Sequence, residues 1–74
     1  LSGAETQLYN YSITVERKRV TFDLRENSRG QFLRIIEEVS GRRNAIIVPL
    51  TGLEDFRDVL YEVIKFSKTL PLEA

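Results

Sequence analysis

Residues 22–38 read FDLRENSRGQFLRIIEE, and the reading of the fold starts there. Phe22 and Leu24 alternate with Asp23 and Arg25, the period of a strand with one apolar side. Glu26 to Gly30 (ENSRG) is a turn, in which Asn27 and Gly30 are residue types that accept positive φ. Alternation resumes at Gln31 and runs to Val39. Phe32, Arg34, Ile36 and Glu38 fall on one side, and Leu33, Ile35, Glu37 and Val39 on the other. The stretch is therefore a β-hairpin.

Working outward, the same period appears on both flanks. Tyr9, Tyr11, Ile13 and Val15 alternate with Asn10, Ser12, Thr14 and Glu16, giving a first strand. Arg17 and Lys18 form the turn into a second strand that starts at Arg19. After the third strand, Ser40 to Asn44 reads as a polar turn. Ala45 to Leu50 is a continuous apolar run, as in a strand covered on both faces, with Pro49 near its end. The period then changes. Leu53, Phe56, Leu60, Val63, Ile64 and Ser67 share one helical face, flanked by Val59 and Phe66. Thr51 to Glu54 has the spacing of a capping box, Asp55 and Asp58 suit a helix start, and Lys65 and Lys68 suit its end. Pro71 stops it, so the helix is expected over about 52–69.

The expected fold is α+β: a four-stranded antiparallel sheet followed by one C-terminal helix. Residues 1–8 are expected to be a flexible segment, 9–70 the folded unit and 71–74 a tail. The helix is expected to cover one face of the sheet. The other face still carries aromatic and aliphatic residues, so it too should meet something, either a second copy or a bound nucleic acid.

Composition narrows the function. The chain has 74 residues, neither Cys nor His, and 11 basic against 11 acidic residues. A unit this small buries little core, and small folds often add a disulfide, a metal or a partner subunit. Without Cys or His, the partner subunit is the remaining common route, and no cofactor is expected. Nucleophilic chemistry of the Cys or Ser-His kind has no residues to use. Asp23, Glu26, Glu37 and Glu38 are carboxylates, but they alternate with cations as on a solvated face, so no enzyme is expected. No apolar run approaches the roughly 18 residues of a membrane span, and no membrane partner is expected. The N-terminus has no signal-peptide pattern. With Leu at position 1, the expectation is a fragment of a longer protein.

The zero net charge hides an asymmetry. Residues 17–43 carry eight cations against four acids, and seven of the eight are Arg. The acidic surplus lies at both ends of the chain. Arg offers a planar fork of donors suited to phosphate and to base edges.

The stretch 22–34, the run Arg42, Arg43, Asn44, Ile46, Ile47, Val48, Pro49, and the helix opening Gly52, Leu53, Phe56, Arg57, Asp58 occur in one order. In these segments the chain resembles a single repeat of the PUR family, the purine-rich-element-binding proteins. The resemblance covers roughly residues 11–66. It implies a strand-strand-strand-strand-helix repeat, two copies of which intertwine into one unit similar to Whirly domains. One repeat here therefore implies a homodimer.

The resemblance also implies binding of single-stranded DNA or RNA, often G-rich, and separation of short duplexes without ATP. Carried over by motif position, Arg25, Asn27, Arg29 and Phe32 are the implied contacts. Arg25 stands where the family commonly has Lys, and Gln31 where it commonly has a basic residue. Phe32 would stack on bases if it is not packed in the core. Arg34 extends the same face, and Arg42 and Arg43 are expected to assist with the backbone. The alternative is a scaffold repeat that dimerises or docks onto other proteins of a nucleic-acid-processing assembly. Nucleus or cytoplasm is the expected compartment, with an organelle as the alternative.

Overall fold

The computed structural model describes residues 4–72. Strands β1 (Thr6–Val15), β2 (Lys18–Asn27), β3 (Gly30–Val39) and β4 (Arg42–Pro49) form one antiparallel sheet in the order β1-β2-β3-β4. A 3-10 turn, Leu50–Gly52, leads into helix α1, Leu53–Ser67. The expected fold class is the observed one.

The turns are tighter than expected. Glu16-Arg17, Ser28-Arg29 and Ser40-Gly41 are two-residue loops, so Lys18 and Arg42 to Asn44 belong to strands. Positive φ explains where the chain reverses: 56° at Glu16, 49° at Ser40, 80° at Gly41 and 138° at Gly30. Asn27 does not take positive φ; it ends β2 and acts through its side chain. β1 begins at Thr6, ahead of the expected start at Tyr9, and shifts register between Gln7 and Tyr9. This irregularity interrupts the alternation that marked Tyr9 to Glu16, so the sequence pattern missed the strand's first residues.

The register sorts the side chains into two faces. Tyr9, Leu24, Leu33 and Val48 form one row across the sheet, and Tyr11, Phe22, Ile35 and Ile46 the next. This is the apolar face. On the opposite face, Asn10, Asp23, Arg34 and Ile47 form one row, and Ser12, Thr21, Ile36 and Ala45 another. The two buried residues among those described, Ile36 at 5% exposure and Asp23 at 2%, lie on this second face. Tyr9, Tyr11, Ile13, Val15 and Ile46 on the apolar face are exposed.

Helix α1 corrects two expectations. Thr51 makes no capping bond; the N-cap is Gly52, without a side-chain hydrogen bond. Thr51 instead lies inside the 3-10 turn, where the Leu53 N–H donates to the Leu50 carbonyl. The helix also covers neither face. It follows the 3-10 turn directly, without a loop to fold it back, and every residue from Glu54 to Ser67 is exposed. Its end is closed by Ser67 Oγ and Thr69 Oγ1, which donate to the Ile64 and Phe66 carbonyls at 2.7 Å each.

The result is an elongated body of 54 × 30 × 16 Å. It exposes 6570 Å² at a mass of 8.6 kDa. A compact monomer of that mass would expose about 4,700 Å². The uncovered sheet face and helix stripe contribute to the difference.

Candidate nucleic-acid interface

The β2–β3 hairpin gathers most of the residues singled out from the sequence. Arg25 lies opposite Phe32 in the ladder, and Phe32 in turn lies opposite Pro49. Arg34 is two residues on from Phe32 and shares its face. At the tip, Asn27 Oδ1 accepts a hydrogen bond from the Arg29 backbone N–H at 2.9 Å. This Asx-type bond holds the turn, and Gly30 completes it at φ 138°.

A shallow cleft of about 520 Å³ opens beside the tip. Phe32, Ile47 and Pro49 give it an apolar floor, and Asn27, Arg29 and Gln31 give it polar walls. Glu5 stands at its edge. Phe32 is only half-buried, so its ring is not lost in a core. Gln31 Nε2 donates to Glu26 Oε2 at 3.2 Å, which turns that amide along the hairpin.

Arg25 and Arg34 are not free cations. Both converge on Asp23, with Arg25 Nη1 at 3.1 Å and Arg34 Nη2 at 2.9 Å from the same oxygen, Oδ2. Asn10 Nδ2 donates to Oδ1 at 3.4 Å. Arg25 Nε also donates to Glu5 Oε1 at 2.9 Å. The side chains of Arg25 and Arg34 keep 20% and 32% of their surface exposed. Burial pushes the Asp23 carboxyl up, but the bonds from Arg34, Arg25 and Asn10 outweigh it and hold the group below the usual carboxylate range. The bond to Asp23 in turn raises Arg25.

Arg42 and Arg43 do not join this group. They start β4, at the opposite end of ten-residue strands, about 30 Å from the β2–β3 tip at the usual rise per residue. They also point to opposite faces. Arg43 lies opposite Glu38 on the Arg34 face, and Arg42 opposite Val39 on the apolar one. With Arg17, Lys18 and Arg19 they make a second basic end. There Lys18 Nζ pairs with Glu37 Oε2 at 2.9 Å, which raises Lys18 and lowers Glu37. On the exposed helix, Arg57 Nη2 lies 2.9 Å from Asp58 Oδ1.

Sequence reasoning missed Glu5, Asp23, Ile47 and Pro49 as parts of this surface. Asp23 was within reach, because a two-residue loop at Ser28-Arg29 places it opposite Arg34 and two residues from Arg25. Glu5 was not, because the irregularity before Tyr9 breaks the count along β1.

A family model described as PurA ssDNA and RNA-binding protein matches residues 3–69. Transcription factor Pur-alpha 1 of Arabidopsis thaliana is 43% identical over 56 residues, covering 76% of this chain and 19% of the relative. Transcriptional activator plp-1 of Caenorhabditis elegans is 48% identical over 54 residues, covering 70% of this chain and 24% of the relative. The chain thus spans about a fifth to a quarter of the length of these relatives. The family model covers most of the chain, and the chain belongs to the PurA family of ssDNA and RNA-binding proteins.

Proposed function

We propose that this chain binds single-stranded DNA or RNA, with a preference for purine-rich sequence, through the β2–β3 hairpin, and does so as a homodimer. The observation that carries the binding reading is the cleft, where a half-buried aromatic ring, Phe32, lies beside Asn27 and Arg29. Stacking on Phe32 favours unpaired bases, about 1–3 kcal/mol per base. Arg29, Arg25 and Arg34 supply charge for phosphates. Arg42 and Arg43 are too distant for the same nucleotides and serve a separate stretch of backbone. Tighter binding to separated strands than to duplex shifts melting by mass action and needs no ATP.

The dimer reading rests on the uncovered apolar surface. The excess over a compact monomer, about 1,900 Å² per chain, is of the size buried in obligate interfaces. The exposed stripe of α1 and the exposed face with Tyr9, Tyr11 and Ile46 are each half of such a contact. The relatives' names, transcription factor and transcriptional activator, fit a role in transcription in the nucleus, with the cytoplasm or an organelle as other compartments.

One observation favours a second reading. Asp23 and Glu5 engage Arg25, and Asp23 engages Arg34, which lowers the free positive charge. A repeat that mainly dimerises or docks onto other proteins tolerates that neutralisation. The deciding experiment titrates labelled purine-rich DNA and RNA strands with wild type and with Phe32→Ala/Arg29→Ala at two salt concentrations, with complex mass from light scattering. The binding reading expects a dimer whose affinity falls with salt, about 0.7 in log–log slope per phosphate contact, and collapses in the double variant. A dimer indifferent to every strand selects the scaffold reading.

A further inference from the structure

The least exposed side chain among those described is a carboxylate, Asp23, in the face that also carries Arg25, Phe32 and Arg34. A carboxylate there at first opposes phosphate binding. Its geometry argues otherwise. Arg25 and Arg34 stand on neighbouring strands in diagonal positions, where two like charges repel and their long side chains have many rotamers. Asp23 removes both difficulties. Oδ2 takes one terminal nitrogen from each guanidinium, 3.1 Å from Arg25 and 2.9 Å from Arg34, so the two planar groups are brought side by side. Asn10 Nδ2 reaches Oδ1 from β1 and helps fix the carboxylate. Arg34 Nε is buried and has no partner among the described residues, so this guanidinium is held at the cost of a hydrogen bond.

We propose that Asp23 is a positioning residue for nucleic-acid binding. It holds Arg25 and Arg34 together as a paired grip for one phosphodiester, next to the base-stacking Phe32. Each Arg yields one terminal nitrogen to Asp23 and keeps part of its fork for phosphate oxygens. Once Glu5 is displaced, Asp23 and the two Arg leave one net positive charge, fixed in place, where two mobile ones would otherwise spread apart. Glu5 lies on the Nε side of Arg25 and is the group that an incoming phosphate displaces.

The proposal rests on the single-strand-binding reading, and its test separates the two. A labelled purine-rich strand is titrated with wild type, Asp23→Asn, Arg25→Gln/Arg34→Gln and the triple variant across a salt series, with thermal melts of each. The paired grip expects Asp23→Asn to weaken binding about tenfold, a loss the size of one charge-assisted contact. It also expects a shallower salt slope, by about 0.7 for one phosphate. In the Arg25→Gln/Arg34→Gln background the same change should have no effect on affinity, which a merely structural role would not predict. Unchanged or tighter binding by Asp23→Asn overturns the proposal, since a carboxylate that only repels phosphate is improved by removal. An equal loss in both backgrounds overturns it too. If Asp23→Asn does not fold, the single variants Arg25→Gln and Arg34→Gln replace it. A grip gives a double loss smaller than the two single losses combined, and additive losses refute it. Wild type that binds no strand fails the functional reading instead.

Discussion

At the scale of single residues, the ion pairs of this protein divide by exposure. Lys18–Glu37 and Arg57–Asp58 sit in solvent, where screening leaves such pairs worth little. Asp23 differs because it is buried and accepts from three donors. Its carboxyl titrates below the usual range in the fold and near pH 4 in the unfolded chain. The stabilisation is therefore whole above about pH 4 and is lost as pH falls through the lower folded value. Denaturant midpoints of wild type and Asp23→Asn, measured at one protein concentration from pH 7 to pH 3, check this. The gap between them should be widest near neutrality, about 1.5–3 kcal/mol for hydrogen bonds to a charged group, and narrow as pH falls below about 4. A gap independent of pH would mean that the ionised carboxylate contributes nothing.

At the scale of elements, the β2–β3 hairpin shows what sequence could and could not reveal. The alternation of Phe22 to Arg25 and of Phe32 to Val39 identified both strands, because each strand puts like residues on one face. The sheet order and the helix stripe were legible for the same reason. The turn residues were misjudged by one or more positions, since a run such as ENSRG holds several residues able to turn and only backbone torsion selects among them. Gly30 carries the unusual torsion, φ 138°, while Asn27 serves by its bond to the Arg29 N–H. A Cβ at Gly30 would meet no atom within 4 Å, so replacement acts through conformation alone. Gly30→Ala should therefore lower stability by about 1–3 kcal/mol, or relax the turn and misplace Arg29 and Phe32. Gly41→Asn is the control, because φ 80° lies near the left-handed region that Asn tolerates. Melting temperatures should fall for the first and barely change for the second. Arg42 and Arg43 read as part of the other turn, and the ten-residue strands carry them about 30 Å from the hairpin tip, so their backbone role concerns a different stretch of strand.

At the scale of the whole molecule, the open question in the sequence was what the helix covers. Its apolar stripe implied a partner surface, and the sheet of the same chain was the nearest one. Periodicity states that a face is apolar but carries no information about which surface meets it, and the helix projects away from its own sheet. A chain with one buried aliphatic side chain among those described lacks the core to offset the entropy of ordering it. Substitution on the stripe separates the two possibilities. Leu60 is 55% exposed, so in an isolated chain Leu60→Arg leaves a surface position as it was and changes stability by at most about 0.5 kcal/mol. In a dimer the same change buries a guanidinium in an apolar contact, which is costly without a partner charge. Analytical ultracentrifugation and thermal melts over a hundredfold range of protein concentration read the difference. Wild type should sediment as a dimer with a melting temperature that rises with concentration, because association stabilises by mass action. Leu60→Arg should lose the dimer and, with it, the cooperative melt. A variant that stays folded as a monomer, with wild-type stability, would mean that the helix stripe meets no second copy.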